Sequence, residues 1–294
     1  MDPRSGRGPA GPVNSPVNMA LPAEYFTPGS SSFTDFVATT APHLMPGRLP
    51  ENVAPGQLPA GFEAIHGTTI VALSFKGGVL IAGDRRATTG NLIASRDMEK
   101  VFVTDGYSAV GIAGTAGFAV EMVRMFTVDL EHFEKIEGVP LSLDGKVNKL
   151  SGMVRGNLGA AMQGLAVIPL FVGYDIDAPD PARAGRIVSF DVAGSRSDEN
   201  VGYAGIGSGS LFARSALKKR HDPEADVDAA IRAAVEALYD AADDDTASGL
   251  PDLGRRIYPV VATITAEGAV RQPDERIGEV ARAVVADRLT RPGG

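Results

Sequence analysis

The sequence predicts an α+β fold in which antiparallel sheets are stacked on one another and covered by helices. Three observations point there. Hydrophobic periods run in the order strands, two helices, strands, two helices, strands, helix. The strands come in clusters joined by turn dipeptides, not singly between helices as in a βαβ repeat. The phosphate-cradle motifs of open parallel sheets are missing: Gly205-x-Gly207-x-Gly209 has no acidic residue at the spacing a dinucleotide loop needs.

Taken in order, residues 68–75 are β-rich and nearly uncharged, Gly77-Gly78 is a hairpin signal, and 79–84 reads as the returning strand. Strands are expected at 100–104 and 107–113, with Asp105-Gly106 as the turn between them. The period then becomes helical over 116–133, where Phe118, Val120, Met122, Val123, Met125 and Phe126 recur on one face; the Phe118, Met122, Met125 and Phe126 stripe is expected in the core. A second helix is expected at 146–162. Strands return at 167–174, 185–191 and 201–206, helices at 210–219 and 227–239, and a last β pair at 257–265 and 269–272. A helix over 275–289 follows.

The first 67 residues have a different character. They hold 11 of the chain's 20 prolines and Gly/Ser-rich stretches such as Pro28-Gly29-Ser30-Ser31-Ser32. Such proline density opposes regular structure, although 32–39 could form a turn of helix. Composition alone reads this segment as a disordered tail; a pro-segment removed on maturation is the sharper alternative.

The bulk numbers exclude several functions. There is no cysteine, so disulfides, thiolate catalysis and Cys-ligated metals are ruled out. The four histidines, His43, His66, His132 and His221, have no metal-ligand spacing and no nucleophile elbow nearby. Net charge is −8 with both signs mixed, which gives neither a nucleic-acid footprint nor a basic membrane-binding cluster. No apolar run reaches the roughly 18 residues of a membrane span, and no signal peptide is evident. No metal, cofactor, nucleic acid or membrane partner is expected.

A hydroxyl nucleophile needs a base, and no histidine is placed for it. An N-terminal amine can serve, since its pKa is about 7.7–8 and much of it is neutral near pH 7–8. Exposing such an amine means cutting the chain just before the nucleophile. Gly67-Thr68 suits that, because glycine lets the hydroxyl approach the preceding carbonyl closely.

Here the chain resembles a known family. Gly67-Thr68-Thr69-Ile70-Val71, followed by Ile81-Ala82-Gly83-Asp84-Arg85-Arg86-Ala87-Thr88, is similar to the start of a mature proteasome β subunit. Lys100 falls at the family's catalytic lysine. Gly111-Ile112-Ala113-Gly114-Thr115-Ala116 resembles its oxyanion strand, Gly207-Ser208-Gly209-Ser210 its serine loop, and Asp245-Thr246-Ala247-Ser248-Gly249 its D-x-x-S-G element. The resemblance runs from Thr68 to about Thr265. The long Pro-rich leader and Ala/Gly/Arg-rich composition look actinobacterial.

The resemblance implies a four-layer αββα sandwich, the N-terminal-nucleophile hydrolase fold, with residues 1–67 a removable pro-segment and 68–294 the catalytic domain. It implies a threonine endopeptidase that cuts itself at Gly67-Thr68. In this scheme Thr68 attacks, Asp84 keeps Lys100 charged and in place, and the Gly114 N–H stabilises the oxyanion. Ser208, Asp245 and Ser248 orient the freed amine and a water. Ala87, Thr88, Met98, Phe102, Ile112 and Ala116 are the implied substrate-binding positions. The implied partners are proteasome α subunits, other β subunits in heptameric rings capped by α rings, and a regulatory ATPase ring acting through the α rings. Substrates would be unfolded or Pup-tagged proteins, and the location the cytoplasm. Other readings are a small-molecule amidase of the same fold class, a non-catalytic ring subunit, or an HslV-type peptidase. The last also opens Thr-Thr-Ile-Val but usually has a very short leader and Gly-Asp-Gly-Gln where this chain has Gly83-Asp84-Arg85-Arg86.

Overall fold

The computed structural model describes residues 33–42 and 67–291. Two five-stranded antiparallel sheets form its centre. In the first, β1 (Thr69–Phe75) lies between β10 (Tyr203–Gly207) and β2 (Gly78–Gly83), followed by β11 (Val260–Thr265) and the edge strand β12 (Gly268–Arg271). The second runs β5 (Val101–Asp105), β6 (Ser108–Gly114), β7 (Val167–Tyr174), β8 (Gly185–Phe190) and β9 (Arg196–Asp198). A separate hairpin joins β3 (Ala87–Thr89) to β4 (Leu92–Ser95).

Strand alternation sorts the apolar side chains into layers. Ile70, Ala72, Val79 and Ile81 join Leu170 and Val172 between the two sheets. The intervening residues Val71, Leu73, Leu80 and Ala82 face α5 (Ser210–Arg220), α6 (Val227–Asp244) and α7 (Asp274–Thr290). Across the second sheet, Val110, Ile112 and Phe171 pack on α2 (Ala116–Glu137) and α3 (Leu143–Gly156). The four layers αββα are those the family resemblance implies, and the stacked, helix-covered sheets are those the sequence pattern predicts.

Several elements differ from expectation. The helix expected over 146–162 begins earlier, at Leu143, where Ser142 accepts the Gly145 N–H. It breaks at buried Asn157, whose side-chain amide donates to Leu165 O, and resumes as α4 (Leu158–Ala161). Regular pairing of the strand expected from 257 begins only at Val260. Pro259 cannot donate to a ladder, and Ile257 instead bridges Asp252. The short strands β3, β4 and β9 were not anticipated. In the α2 stripe Met122 and Phe126 are in the core, while Met125 is only half-buried.

Within the leader, α1 (Phe33–Thr40) matches the turn of helix expected at 32–39. It lies along α2: the Thr34 N–H donates to Asp129 Oδ1 at 3.0 Å, the Phe33 and His132 rings are 5.7 Å apart, and Val37 and Ala41 are buried. Asp129 is itself buried and paired with Lys149 at 2.8 Å. Residues 1–32 and 43–66, with the Pro28–Ser32 stretch, lie outside the described residues, and with them most of the segment expected to be irregular and removable.

Register brings the functional ends together. Thr69 pairs with Gly207, and Gly83 with both Ile70 and Val260, so the start of β1, the end of β2 and the end of β10 share one edge of the first sheet. Lys100 immediately precedes β5, and Gly114 ends β6, in the second sheet. The two sheets open toward the same corner.

Candidate active site

Thr68 stands just before β1 and is buried. Its Oγ1–H donates to the carbonyl oxygen of Gly67 at 2.6 Å. The hydroxyl therefore lies against the peptide bond it would have to attack. Gly67 has φ +127°, and a Cβ there would meet Thr88 Oγ1 at 2.5 Å and Ala247 O at 2.7 Å. Only glycine takes this backbone without strain.

Lys100 Nζ reaches three oxygens: Gly67 O at 2.9 Å, Asp84 Oδ1 at 2.8 Å, and Arg86 O. Three acceptors match the three N–H donors of an ammonium. Burial nevertheless holds the Lys100 pKa below that of an ordinary lysine; attraction to Asp84, then to Asp245, opposes this, and Arg86 adds to it. The hydrogen bonds fit the charged form expected for Lys100, and the lowered pKa means that it parts with its proton more readily than expected.

Asp84 is almost fully buried and all its acceptor positions are used. Oδ1 takes the Thr69 N–H at 2.8 Å besides Lys100; Oδ2 takes the N–H groups of Arg86 and Gly249, each at 2.9 Å. It thus binds the β1 start, the loop after β2 and the Gly249 loop to one point.

Asp245 follows α6 and links two serines. Its Oδ2 accepts from Ser208 Oγ at 2.6 Å and from Ser248 Oγ at 2.7 Å. Ser208 Oγ accepts the Thr68 N–H at 3.5 Å. Ser248, fully buried, accepts from Thr69 Oγ1 and not from Thr68. Of the three groups expected to orient the amine, Ser208 reaches it, Asp245 holds Ser208, and Ser248 acts one residue away. Gly207, at φ +92°, lets the loop pass Thr68, whose carbonyl oxygen would lie 2.0 Å from a Cβ there.

Gly114 ends β6 at φ +108°, where a Cβ would collide with Ala166 O at 2.2 Å. Along β6 the Thr115 N–H donates to Ala166 O and the Ile112 N–H to Lys100 O. Alternation then turns the Gly114 N–H toward the Lys100 side, just past the start of β5. Beside it a small pocket is lined by Gly67, Thr68, Ala87, Met98, Glu99, Lys100, Ile112, Gly114, Ala116, Ala119 and Val120. Four of the implied substrate positions, Ala87, Met98, Ile112 and Ala116, are there. Two are not: Thr88 adjoins Gly67 instead, and Phe102 packs half-buried between its sheet and the α2–α3 layer. Glu99, Ala119 and Val120 were missed, although the last two sit one helical turn after Ala116, a spacing that sequence alone displays. Arg86 and Thr69 were also unassigned, though both fall inside the quoted motifs. Among the described residues no cluster of His, Asp and Glu could hold a metal ion.

Residues 65–251 match the family model described as Proteasome subunit. Among curated proteins, the chain is 68% identical over 277 residues to a Proteasome subunit beta of Saccharopolyspora erythraea, covering 94% of this chain and 95% of that one. It is 66% identical to the Proteasome subunit beta of Saccharomonospora viridis, covering 94% and 96%. That of Stackebrandtia nassauensis is 60% identical, covering 93% and 96%. The match spans the Thr68 corner, the strands that build it and the Asp245 loop, and on that extent the chain belongs to the proteasome subunit family.

Proposed function

We propose that this chain is the catalytic β-type subunit of a proteasome core particle, a threonine endopeptidase synthesised as a precursor and freed by its own cut at Gly67-Thr68. The observation that carries this is the convergence of Thr68 Oγ1 and Lys100 Nζ on the Gly67 carbonyl oxygen, at 2.6 and 2.9 Å. The names of its relatives support the same reading.

The geometry supports the following course for the first cut. Thr68 Oγ adds to the Gly67 carbonyl carbon and gives up its proton, and charge collects on the oxygen that the Lys100 ammonium touches. The bond from Gly67 C to Thr68 N breaks, and that proton is passed to the Thr68 nitrogen, beside Ser208 and Asp245. An ester between Gly67 and Thr68 Oγ remains, and water hydrolyses it. Residues 1–67 leave with a carboxylate, and residues 68–294 keep a free hydroxyl and a free amine. In later turnovers that amine accepts the hydroxyl proton and returns it to the leaving group. Lys100 lowers the cost of the alkoxide, and the Gly114 N–H receives the substrate oxyanion.

The subunit works with α subunits and with other β subunits in heptameric rings that enclose the Thr68 sites. A regulatory ATPase ring feeds unfolded or Pup-tagged proteins through the α rings, in the cytoplasm. The test is intact mass and light scattering after co-expression with the α partner. A particle of several hundred kilodaltons with the 67-residue leader removed (294 − 227) is expected. Thr68→Ala should assemble and keep the leader. A processed, fully active monomer, or a Thr68→Ala precursor that still matures after purification, would overturn the proposal.

A further inference from the structure

We infer that Arg85 is a positioning residue for the reaction, holding Met98 of the pocket and Lys100 of the site in register with each other. This rests on the endopeptidase reading above.

Residues 96–99, between β4 and β5, lie outside the strand ladders, yet they carry Met98 and lead directly into Lys100, whose carbonyl takes the Ile112 N–H. Arg85 grips this segment twice. Its carbonyl oxygen accepts the Met98 N–H at 2.9 Å. Its guanidinium, with the side chain only 11% exposed, reaches Asp97 at 2.6 Å and Glu99 at 3.8 Å, the residues on either side of Met98. The same guanidinium meets Asp274 at 3.5 Å, where α7 begins. Arg271, at the end of β12, closes a ring of alternating charge through Glu99 at 2.8 Å and Asp274 at 3.7 Å. Arg85 directly follows Asp84, the carboxylate that holds the Lys100 ammonium.

Exposed ion pairs add little to stability, and the three carboxylates here are 42–61% exposed. The value of this ring is geometric. A lysine that must meet a developing oxyanion, and a pocket wall that must meet a side chain, both depend on sub-ångström placement. The planar fork of arginine engages several carboxylates at once, which a lysine ammonium does not reproduce. Removing it frees the 97–99 segment and moves both functional side chains together.

The test uses Arg85→Gln in the particle assembled with the α partner. Sites are counted with an electrophilic peptide that titrates the N-terminal threonine. Turnover per titrated site should fall about tenfold, and the preference for Tyr over Ala before the cut should narrow severalfold. Arg85→Lys should recover part of both. A merely structural role would lower the number of titrated sites and leave turnover per site and the Tyr/Ala ratio unchanged; both within twofold of the parent would overturn the inference. If Arg85→Gln does not assemble, Asp97→Asn, which removes the carboxylate nearest Arg85 and lies outside the pocket lining, is read by the same ratio with the same meaning. A parent particle without peptidase activity would instead refute the endopeptidase reading.

Discussion

Gly67→Ala isolates the geometry of the first cut, because the altered residue departs with the leader and the mature chain is unchanged. Two costs follow from the structure. The backbone at Gly67 has φ +127°, a region that an L residue enters at about 1–3 kcal/mol. The added Cβ would lie 2.5 Å from Thr88 Oγ1, 2.7 Å from Ala247 O and 2.8 Å from Ala247 Cβ. Crowding of that kind costs about 1–3 kcal/mol. The chain escapes both by rotating the Gly67–Thr68 peptide, which carries the carbonyl away from Thr68 Oγ1 and Lys100 Nζ. Regaining the reactive arrangement then costs about 2–6 kcal/mol, or about 30-fold to 10⁴-fold in rate at 1.36 kcal/mol per tenfold. The assay is the time course of leader loss in the assembled precursor, followed by intact mass. The small fraction that does mature should show parental turnover per site. Leader loss within threefold of the parent would show that the cut does not pass through this conformation.

Three further outcomes follow. Lys100→Arg should lose roughly 10²–10³ in peptidase rate, because a planar guanidinium cannot place donors on Asp84 Oδ1, Arg86 O and the substrate oxygen together; near-normal turnover of a processed Lys100→Arg particle would remove the lysine from the mechanism. The pH profile of the mature enzyme should be bell-shaped. It rises as the Thr68 amine becomes neutral near pH 7.7–8. It falls as Lys100 loses its proton, at a pH below that of an ordinary lysine because burial lowers its pKa. Self-cleavage of the precursor, which has no such amine, should lack the acid limb, and an alkaline limb at or above the ordinary lysine value would contradict the burial argument. Fluorogenic peptides ending in Tyr, Phe or Leu should outrun those ending in Arg or Asp, since Ala87, Met98, Ile112, Ala116, Ala119 and Val120 make most of the pocket wall apolar and its charged members, Glu99 and Lys100, are already paired with Arg271 and Asp84; faster cleavage after Arg would show that Glu99 leaves Arg271 to meet the substrate.

The parts of the site that sequence revealed are those written in short linear motifs. Asp84 and Thr68 lie at the two ends of one hairpin, so the turn at Gly77-Gly78 places them together, and Ser208 arrives by direct pairing of β10 with β1. The stacking of covered sheets was legible because strand clusters alternate with helix pairs, and β1, β2 and β7 are apolar on both faces, as strands covered on both sides are. The β3–β4 hairpin escaped notice because Leu92 and Ile93 are apolar yet exposed, which spoils the alternation. The edge strand β9, Arg196–Asp198, has no apolar residue at all and is held by pairing with β8 and by the Arg196 guanidinium, which donates to Asn148 Oδ1 of α3. The break at Asn157 depends on a carbonyl eight residues away, a contact that no period encodes. The same is true of Arg85, whose partners come from two stretches of chain far apart in sequence, 97–99 and Asp274.

The leader helix α1 has one more consequence. Its anchors, Asp129, His132 and the buried Val37, all lie on or against α2, and none is a group that Thr68 chemistry alters. On the cut proposed above, breaking the Gly67–Thr68 bond would remove the tether without touching the grip. Severance and departure would then be separate events with separate rates: the first set by a nucleophile, the second by the dissociation of a short helix whose amide rests on a buried carboxylate. A freshly cut subunit would be, for that interval, a complex of two chains.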